Sequence, residues 1–183
     1  MKEISLNILD IVENSVKAKA SRVEITVSES VRDDRLEVSV RDNGCGMDPA
    51  FLEKVTDPFV TTRTTRKVGL GLSLLKVAAQ SCAGDFHITS EIGAGTCVTA
   101  CFQLTHLDRM PLGDMAGTIK VLIGMHETTR FIYTHKTDLG AFVLDTDELR
   151  QTLGEIPLST PEILNWIGEY IDENLESIEG GKL

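Results

Sequence analysis

No stretch of this 183-residue chain approaches the roughly 18 consecutive apolar residues that a membrane-spanning helix needs. Nor does the amino terminus carry a secretory signal, because Lys2 and Glu3 lead straight into an amphipathic pattern. The expected location is therefore cytoplasmic, with no membrane partner. Basic residues are few: 18 Lys and Arg face 28 Asp and Glu, for a formal charge of −10. A nucleic-acid surface usually shows a basic face, so nucleic acid is not an expected partner either. The four cysteines, Cys45, Cys82, Cys97 and Cys101, form no C-x-x-C pair and have no metal-ligand spacing. That pattern suits reduced thiols rather than a disulfide framework or a zinc site. Also missing are G-x-x-x-x-G-K-[ST] and any glycine triplet with dinucleotide spacing, which excludes a P-loop and a Rossmann fingerprint.

What is there is the composition of a globular protein, with 42% hydrophobic and 25% charged residues. Charge is unevenly spread. Acid gathers in "EYIDENLESIE" (169–179), whereas Arg63, Arg66 and Lys67 cluster mid-chain, where an anion could be held locally. Residues 3–18 read as a helix with Ile4, Ile8, Ile11 and Val12 on one face and Asp10, Asn14 and Lys17 on another. Two alternating runs, "RVEITVSE" and "RLEVSVRD", follow as an antiparallel hairpin. "DNGCGMDP" is a loop, residues 50–55 a short helix, and "DPFVTTRTTRKVGLGL" a mobile loop. "LSLLKVAAQSCAG" reads as a second amphipathic helix capped by Gly84, and "DFHITSEIG" and "GTCVTACFQLT" as two further strands around "GAG".

A boundary falls near "HLDRMPLGDMAG". Beyond it "TIKVLIGM", "TRFIYTHK" and "AFVLDT" read as three short strands. A helix then begins at "STPEIL", with Pro161 at its first position and Trp166 expected to face the core. The alternation of helices with hairpin-linked strands predicts an α+β fold, a two-layer α/β sandwich with helices on one face of a mixed, mostly antiparallel sheet.

Three elements carry chemistry. At Gly69-Leu70-Gly71-Leu72-Ser73 a loop meets a helix start, where free N–H groups and the positive dipole end favour a phosphate. Asp42-x-Gly44-x-Gly46 ends a strand; a buried carboxylate there would accept from an exocyclic amine and so choose adenine over guanine, while the glycines leave room for a flat base. On the first helix, Asn14 can offer an amide oxygen to Mg²⁺, Lys17 can reach a phosphate, and Asp10 can orient or deprotonate a water or hydroxyl.

In order and spacing, "DIVENSVKA", "DNGCGM", "DPFVTTR", "GLGLSL" and "GAGTCVTACF" closely resemble the five boxes of the ATP-binding fold shared by sensor histidine kinases, DNA gyrase, mismatch-repair ATPases and anti-sigma kinases. The likeness covers residues 4 to about 104. It implies a Bergerat ATP-binding fold over residues 1–108, a linker at 109–117 and a small strand-helix extension at 118–183. It further implies that Asn14 ligands Mg²⁺ and that Asp42 hydrogen-bonds adenine. Gly44, Gly46 and Met47 would line the base pocket, and Gly69, Leu70, Gly71 and Leu72 would meet the phosphates. Thr96 matches the threonine near adenine, and residues 59–68 match the lid, from which Arg63, Arg66 or Lys67 would close over the triphosphate. In size the chain also resembles accessory ATPases found with iron hydrogenases.

The pattern departs from that family in two places. Hydrolysing members carry a glutamate four residues before the metal asparagine, where Asp10 keeps the carboxylate on a shorter arm. Sensor kinases place a phospho-accepting histidine upstream, for which this sequence leaves no room; His126 in "HETTR" lacks the proline of such a box. Two functions are therefore expected: ATP hydrolysis, or transfer of its γ-phosphate to a partner protein, with Asp10 as base; alternatively, a binding module whose ATP-closed lid and tail dock a partner without turnover. Residues 118–146 are expected to complete or cover a sheet edge that would otherwise expose unpaired backbone groups.

Overall fold

The computed structural model describes residues 3–56 and 71–179. Helix α1 (Ile4–Lys17) buries Ile4, Ile8, Ile11 and Val12 almost completely, each contributing about 2 kcal/mol of apolar burial. No side chain caps its first turn. Instead, the N–H groups of Ile4 and Ser5 donate to the carbonyls of Pro111 (3.0 Å) and Leu112 (2.8 Å), so a distant loop satisfies the start of the helix.

Strands β1 (Arg22–Ser30) and β2 (Arg35–Asp42) pair antiparallel. The short helix α2 (Pro49–Leu52) starts where the Asp48 side chain accepts from the Phe51 N–H. After α3 (Gly71–Ser81), strands β3 (Asp85–Glu91) and β4 (Gly95–Gln103) complete a first group of four. The chain continues through α4 (Met115–Met125), β5 (Arg130–Thr137), β6 (Gly140–Asp145), α5 (Thr146–Leu153) and α6 (Pro161–Glu179). All six strands form one sheet in the order β3-β4-β2-β1-β5-β6, in which only the β1–β5 pair is parallel. Helices α3, α1, α4 and α6 lie side by side in that sequence. The inward strand residues, among them Ile25, Val38, Val98, Phe131 and Leu144, form the core with them. The result is the expected α+β architecture, a mixed and mostly antiparallel sheet under helices. Strands β5 and β6 supply the further sheet edge, β5 pairing with β1 from Arg22↔Arg130 to Ser28↔Lys136 and β6 pairing with β5. Among the described residues no helix is long and apolar enough to cross a membrane.

Four local readings are corrected. "TIKVLIGM" is not a strand but most of α4, because Met115, Ile119, Leu122 and Ile123 recur at helical spacing and are buried, and Asp114 caps the start by accepting from the Gly117 N–H. The helix over 50–55 is a single turn, Pro49–Leu52. Gly84 is not the residue that turns α3 off: Ala83 takes the left-handed conformation (φ 52°), and Gly84 follows it, its N–H donating to the Ala79 carbonyl at 3.0 Å. Glycine is required at 84 for a different reason, since a Cβ there would stand 1.7 Å from the Cys101 carbonyl oxygen. Trp166 does not face the core; it is 45% exposed and stacks on Tyr170 (centroids 5.2 Å apart), while Ile167 and Ile171 of the same helix point inward. Helix α5 was not expected at all; its sequence, "TDELRQTL", buries only Thr146.

Candidate functional site

The carboxyl end of β2 runs into the Asn43–Asp48 loop directly beside the last turn of α1, because the Cys45 N–H donates to the Ala18 carbonyl at 2.9 Å. Gly44 fits there only without a side chain, since a Cβ would lie 2.9 Å from the Ala18 oxygen and 3.0 Å from Asp42 Oδ1. Gly46 has φ +68°, and a Cβ on it would overlap the Glu91 carbonyl at 1.9 Å. The backbone thus makes a thin wall. Behind it opens a cavity of about 720 Å³ whose lining includes Asn14, Lys17, Asp42, Gly46, Met47, Leu72 and Thr96. Seven of the sequence-predicted site residues therefore share one chamber, and Lys19, Cys45 and Phe51 join them.

Asp42 is the most heavily bonded group of the chamber. Its Oδ1 accepts from the backbone N–H of Gly44 (2.8 Å) and of Thr96 (3.3 Å), which is its direct partner in the β2–β4 register. Its Oδ2 accepts from the Ser15 hydroxyl at 2.6 Å. Thr96 is anchored in turn: its hydroxyl meets the Ser90 hydroxyl at 2.8 Å, and Ser90 also accepts from the Met47 N–H at 2.9 Å. Ser90 reaches the Gly95 carbonyl at 3.0 Å. With that bond made, the proton between Ser90 and Thr96 belongs to Thr96, whose oxygen is left as an acceptor only.

The polar face of α1 is bonded very differently. Among the described residues, the buried side-chain polar atoms without a hydrogen-bond partner are Asn7 Oδ1, Asp10 Oδ2 and Asn14 Nδ2. All belong to α1, and spacings of three and four place them on one face. Buried polar groups are ordinarily paired, so a row of three marks a surface built to meet something else. The Asn14 amide can turn to present its oxygen, because its two ends are assigned from the bonding network. Gly71, the first residue of α3, abuts Asp10: a Cβ there would stand 2.0 Å from Asp10 Oδ2. An anion received at the start of α3 would therefore sit beside a carboxylate and need a cation with it. The structure thus brings Gly71 to Asp10 and Leu72 to the chamber. Arg63, Arg66, Lys67, Gly69 and Leu70, with the lid expected over 59–68, lie outside the described residues.

Sequence reasoning passed over Ser15, Ser90 and Lys19. For Ser15 a signal existed: it stands four residues after Ile11 on the apolar side of α1, where a hydroxyl must find an acceptor. His126, by contrast, is tied to α1 away from this chamber, its Nε2 lying 2.6 Å from Glu13 Oε1.

A family model described as histidine kinase-, DNA gyrase B-, and HSP90-like ATPase matches residues 2–106. The sensor protein kinase FleS of Pseudomonas aeruginosa is 41% identical over 97 residues, which are 53% of this chain and 24% of that protein. A putative sensor protein of Shewanella frigidimarina is 34% identical over 103 residues, 55% of this chain and 16% of its own length. The chain thus spans a quarter or less of these curated relatives. Among solved structures, the Aquifex aeolicus MutL ATPase domain complexed with ADP superposes with a TM-score of 0.52 at 16% identity, covering 84% of this chain and 69% of that one. The amino-terminal domain of a DNA repair protein superposes with a TM-score of 0.54 at 17% identity over 79% of this chain and 53% of that one.

Proposed function

The chain belongs to the family of histidine kinase-, DNA gyrase B- and HSP90-like ATPases, and from that premise we propose that it binds ATP with Mg²⁺ in the chamber between α1 and the ends of β2 and β4. In this reading the base lies over Gly46 and Met47 with its amine on Asp42. The triphosphate runs toward Gly71 and the start of α3, with Lys17 beside it. Asp10 takes a proton from the group that attacks the γ-phosphorus: water for hydrolysis, or a side chain of a partner protein for phosphate transfer. The bond from the γ-phosphorus to its bridging oxygen breaks, and ADP leaves with the electron pair.

One observation carries this reading: the Asp42 end of the chamber is saturated with internal bonds, whereas α1 brings to the lining the unpartnered Asn14 amide and carries the unpartnered Asp10 Oδ2 one turn before it, against Gly71. The donor set suits Mg²⁺, which prefers oxygen ligands and keeps several waters, and Asn14 is the residue that would hold it. Bound there, Mg²⁺ supplies positive charge to phosphate oxygens. The row on α1 supports that fit, and the proximity of Asp10 to the α3 start gives the need for it.

Calorimetry with ATP in millimolar Mg²⁺ tests the binding, and phosphate release by wild type and Asp10→Asn tests the chemistry. Saturable heat that weakens on adding EDTA, with release that falls in Asp10→Asn, is the expected outcome. Absence of heat overturns the nucleotide reading, and equal release from both proteins overturns the role of Asp10. Binding with neither release nor labelled transfer to partner proteins would favour the docking module, a reading that the exposed Trp166, stacked on Tyr170, supports.

A further inference from the structure

Strands β1 and β5 lie side by side, and the last turn of α6 comes down on them where the Thr137 hydroxyl donates to the Ile178 carbonyl at 2.6 Å. At that point a fully buried imidazole meets two carboxylates. His135 has none of its side chain exposed; its Nε2 lies 2.9 Å from Glu29 Oε1 and its Nδ1 2.8 Å from the Tyr133 hydroxyl. A ring nitrogen of His135 and one oxygen each of Glu29 and Glu179 all lie within 4.8 Å of one another. Both acids also bear on Tyr133, whose phenol is pushed above its ordinary value by burial first and then by the charges of Glu29 and Glu179.

Hydrogen bonding alone explains half of this arrangement. With Tyr133 donating to Nδ1, the Nε2–H donates to Glu29, and the imidazole is satisfied and neutral. Glu179 is then a second negative charge brought against the first, and like charges at such a distance repel. Among the described residues neither carboxylate makes an ion pair with a Lys or Arg, whose pairs all go elsewhere. In the other tautomer the Nδ1–H donates to the Tyr133 oxygen, and Nε2 turns a lone pair toward the carboxylates. Metal-ligating histidines are ordinarily oriented by such a bond from the second ring nitrogen, and here the group that receives it is itself fully buried.

We infer that Glu29, His135 and Glu179 form a divalent-cation site of the zinc class, which pins the last turn of α6 to β1 and β5. One imidazole nitrogen with two carboxylate oxygens suits Zn²⁺, whereas Ca²⁺ and Mg²⁺ take oxygen ligands. With bonds of about 2.0–2.2 Å, the ligand atoms around a tetrahedral zinc ion stand about 3.3 Å apart. Glu179, exposed at the end of its helix, closes the remaining gap by turning a flexible side chain. Three protein ligands leave the fourth position to water. None of the three residues lines the nucleotide chamber, so the site stands independently of the function proposed above.

The test titrates EDTA-stripped protein with Zn²⁺ by calorimetry and with Co²⁺ by visible absorption, without nucleotide. Wild type is expected to bind one ion per chain, to give the strong absorption of four-coordinate Co²⁺, and to gain about 5–10 °C in Tm at a hundredfold excess of Zn²⁺ over Kd. Glu179→Gln, a change at an exposed position, should weaken binding at least about tenfold, and His135→Gln should abolish the Co²⁺ spectrum. Should His135→Gln fail to fold by circular dichroism, Glu179→Gln decides alone. No binding, no four-coordinate Co²⁺ spectrum, or equal affinity in wild type and Glu179→Gln overturns the inference, the last marking an adventitious ion only. ATP affinity should be the same in wild type and Glu179→Gln, so either claim can fail without the other.

Discussion

Replacing Asp42 by asparagine is the most direct probe of the saturated wall. Three donors converge on the carboxylate: the Ser15 hydroxyl, the Gly44 N–H and the Thr96 N–H. An asparagine placed to keep both backbone donors on its oxygen turns its own NH₂ toward Ser15, whose proton must then swing to the Ile11 carbonyl at the longer 3.3 Å. All three bonds lose the charge that made them strong, the difference between about 1.5–3 and about 1 kcal/mol apiece. A total near 2 kcal/mol follows, because the three share one side chain and do not add fully. In a protein of this size, that should lower Tm by about 4–8 °C. The proposed ligand loses more: the amine of adenine would meet an NH₂ in place of an acceptor, for a fall in ATP affinity of about 10- to 150-fold. Differential scanning calorimetry and ATP titration of wild type and Asp42→Asn read the two numbers separately. A variant that melts with wild type and binds ATP as tightly would refute the accounting of the wall and the placement of the base together.

Gly71→Ala should drive a methyl into Asp10 Oδ2, 2.0 Å from the ideal Cβ position; phosphate release, if present in wild type, should fall at least about tenfold with unchanged circular dichroism, and undiminished release would show that Asp10 is not placed by α3. Thiol labelling at pH 8 should modify the exposed Cys45 rapidly and spare Cys101, whose thiol is pushed up to about 11 by burial and then by Glu37; peptide mapping reads this, and bound Mg-ATP should slow the reaction at Cys45, which lines the chamber. The Arg130 guanidinium, donating to Asp145 from Nε (3.0 Å) and Nη2 (2.5 Å), holds that carboxyl below the usual range. A depressed carboxyl stabilises the folded state above its unfolded value and ceases to do so as the pH falls through the folded one. Arg130→Met should therefore lower Tm at pH 7, and the gap from wild type should close as the pH drops below about 4; a gap independent of pH would contradict the pairing.

The α1 row was legible in the sequence because a helix imposes its own geometry: Asp10, Asn14 and Lys17 share a face whatever packs around them. The turn glycines were legible for a similar reason, since Gly44 and Gly46 follow a strand that could only end there. Ser15 escaped because its partner lies across the fold, and spacing within one helix says nothing of a carboxylate on β2. The error over "TIKVLIGM" came from β-branched residues read as strand formers, when the burial that decided the matter recurs at 115, 119, 122 and 123. Trp166 followed the habit that large aromatics go inside; α6 instead fills its inward face with Ile167 and Ile171, and the ring is left to stack on Tyr170. The parallel β1–β5 pair has no local signature, because it joins segments with six intervening elements between them.

That pairing sets the tempo at which the molecule can be made. Ser30 and Asp138, bonded at 2.8 Å, are 108 residues apart, and closing so large a loop costs entropy before any contact rewards it. High contact order of this kind places β5 among the last strands to join, and until it does, the flank of β1 is an open template for other chains. Refolding should accordingly be slow, sensitive to protein concentration, and eased by chaperones that shield strand edges.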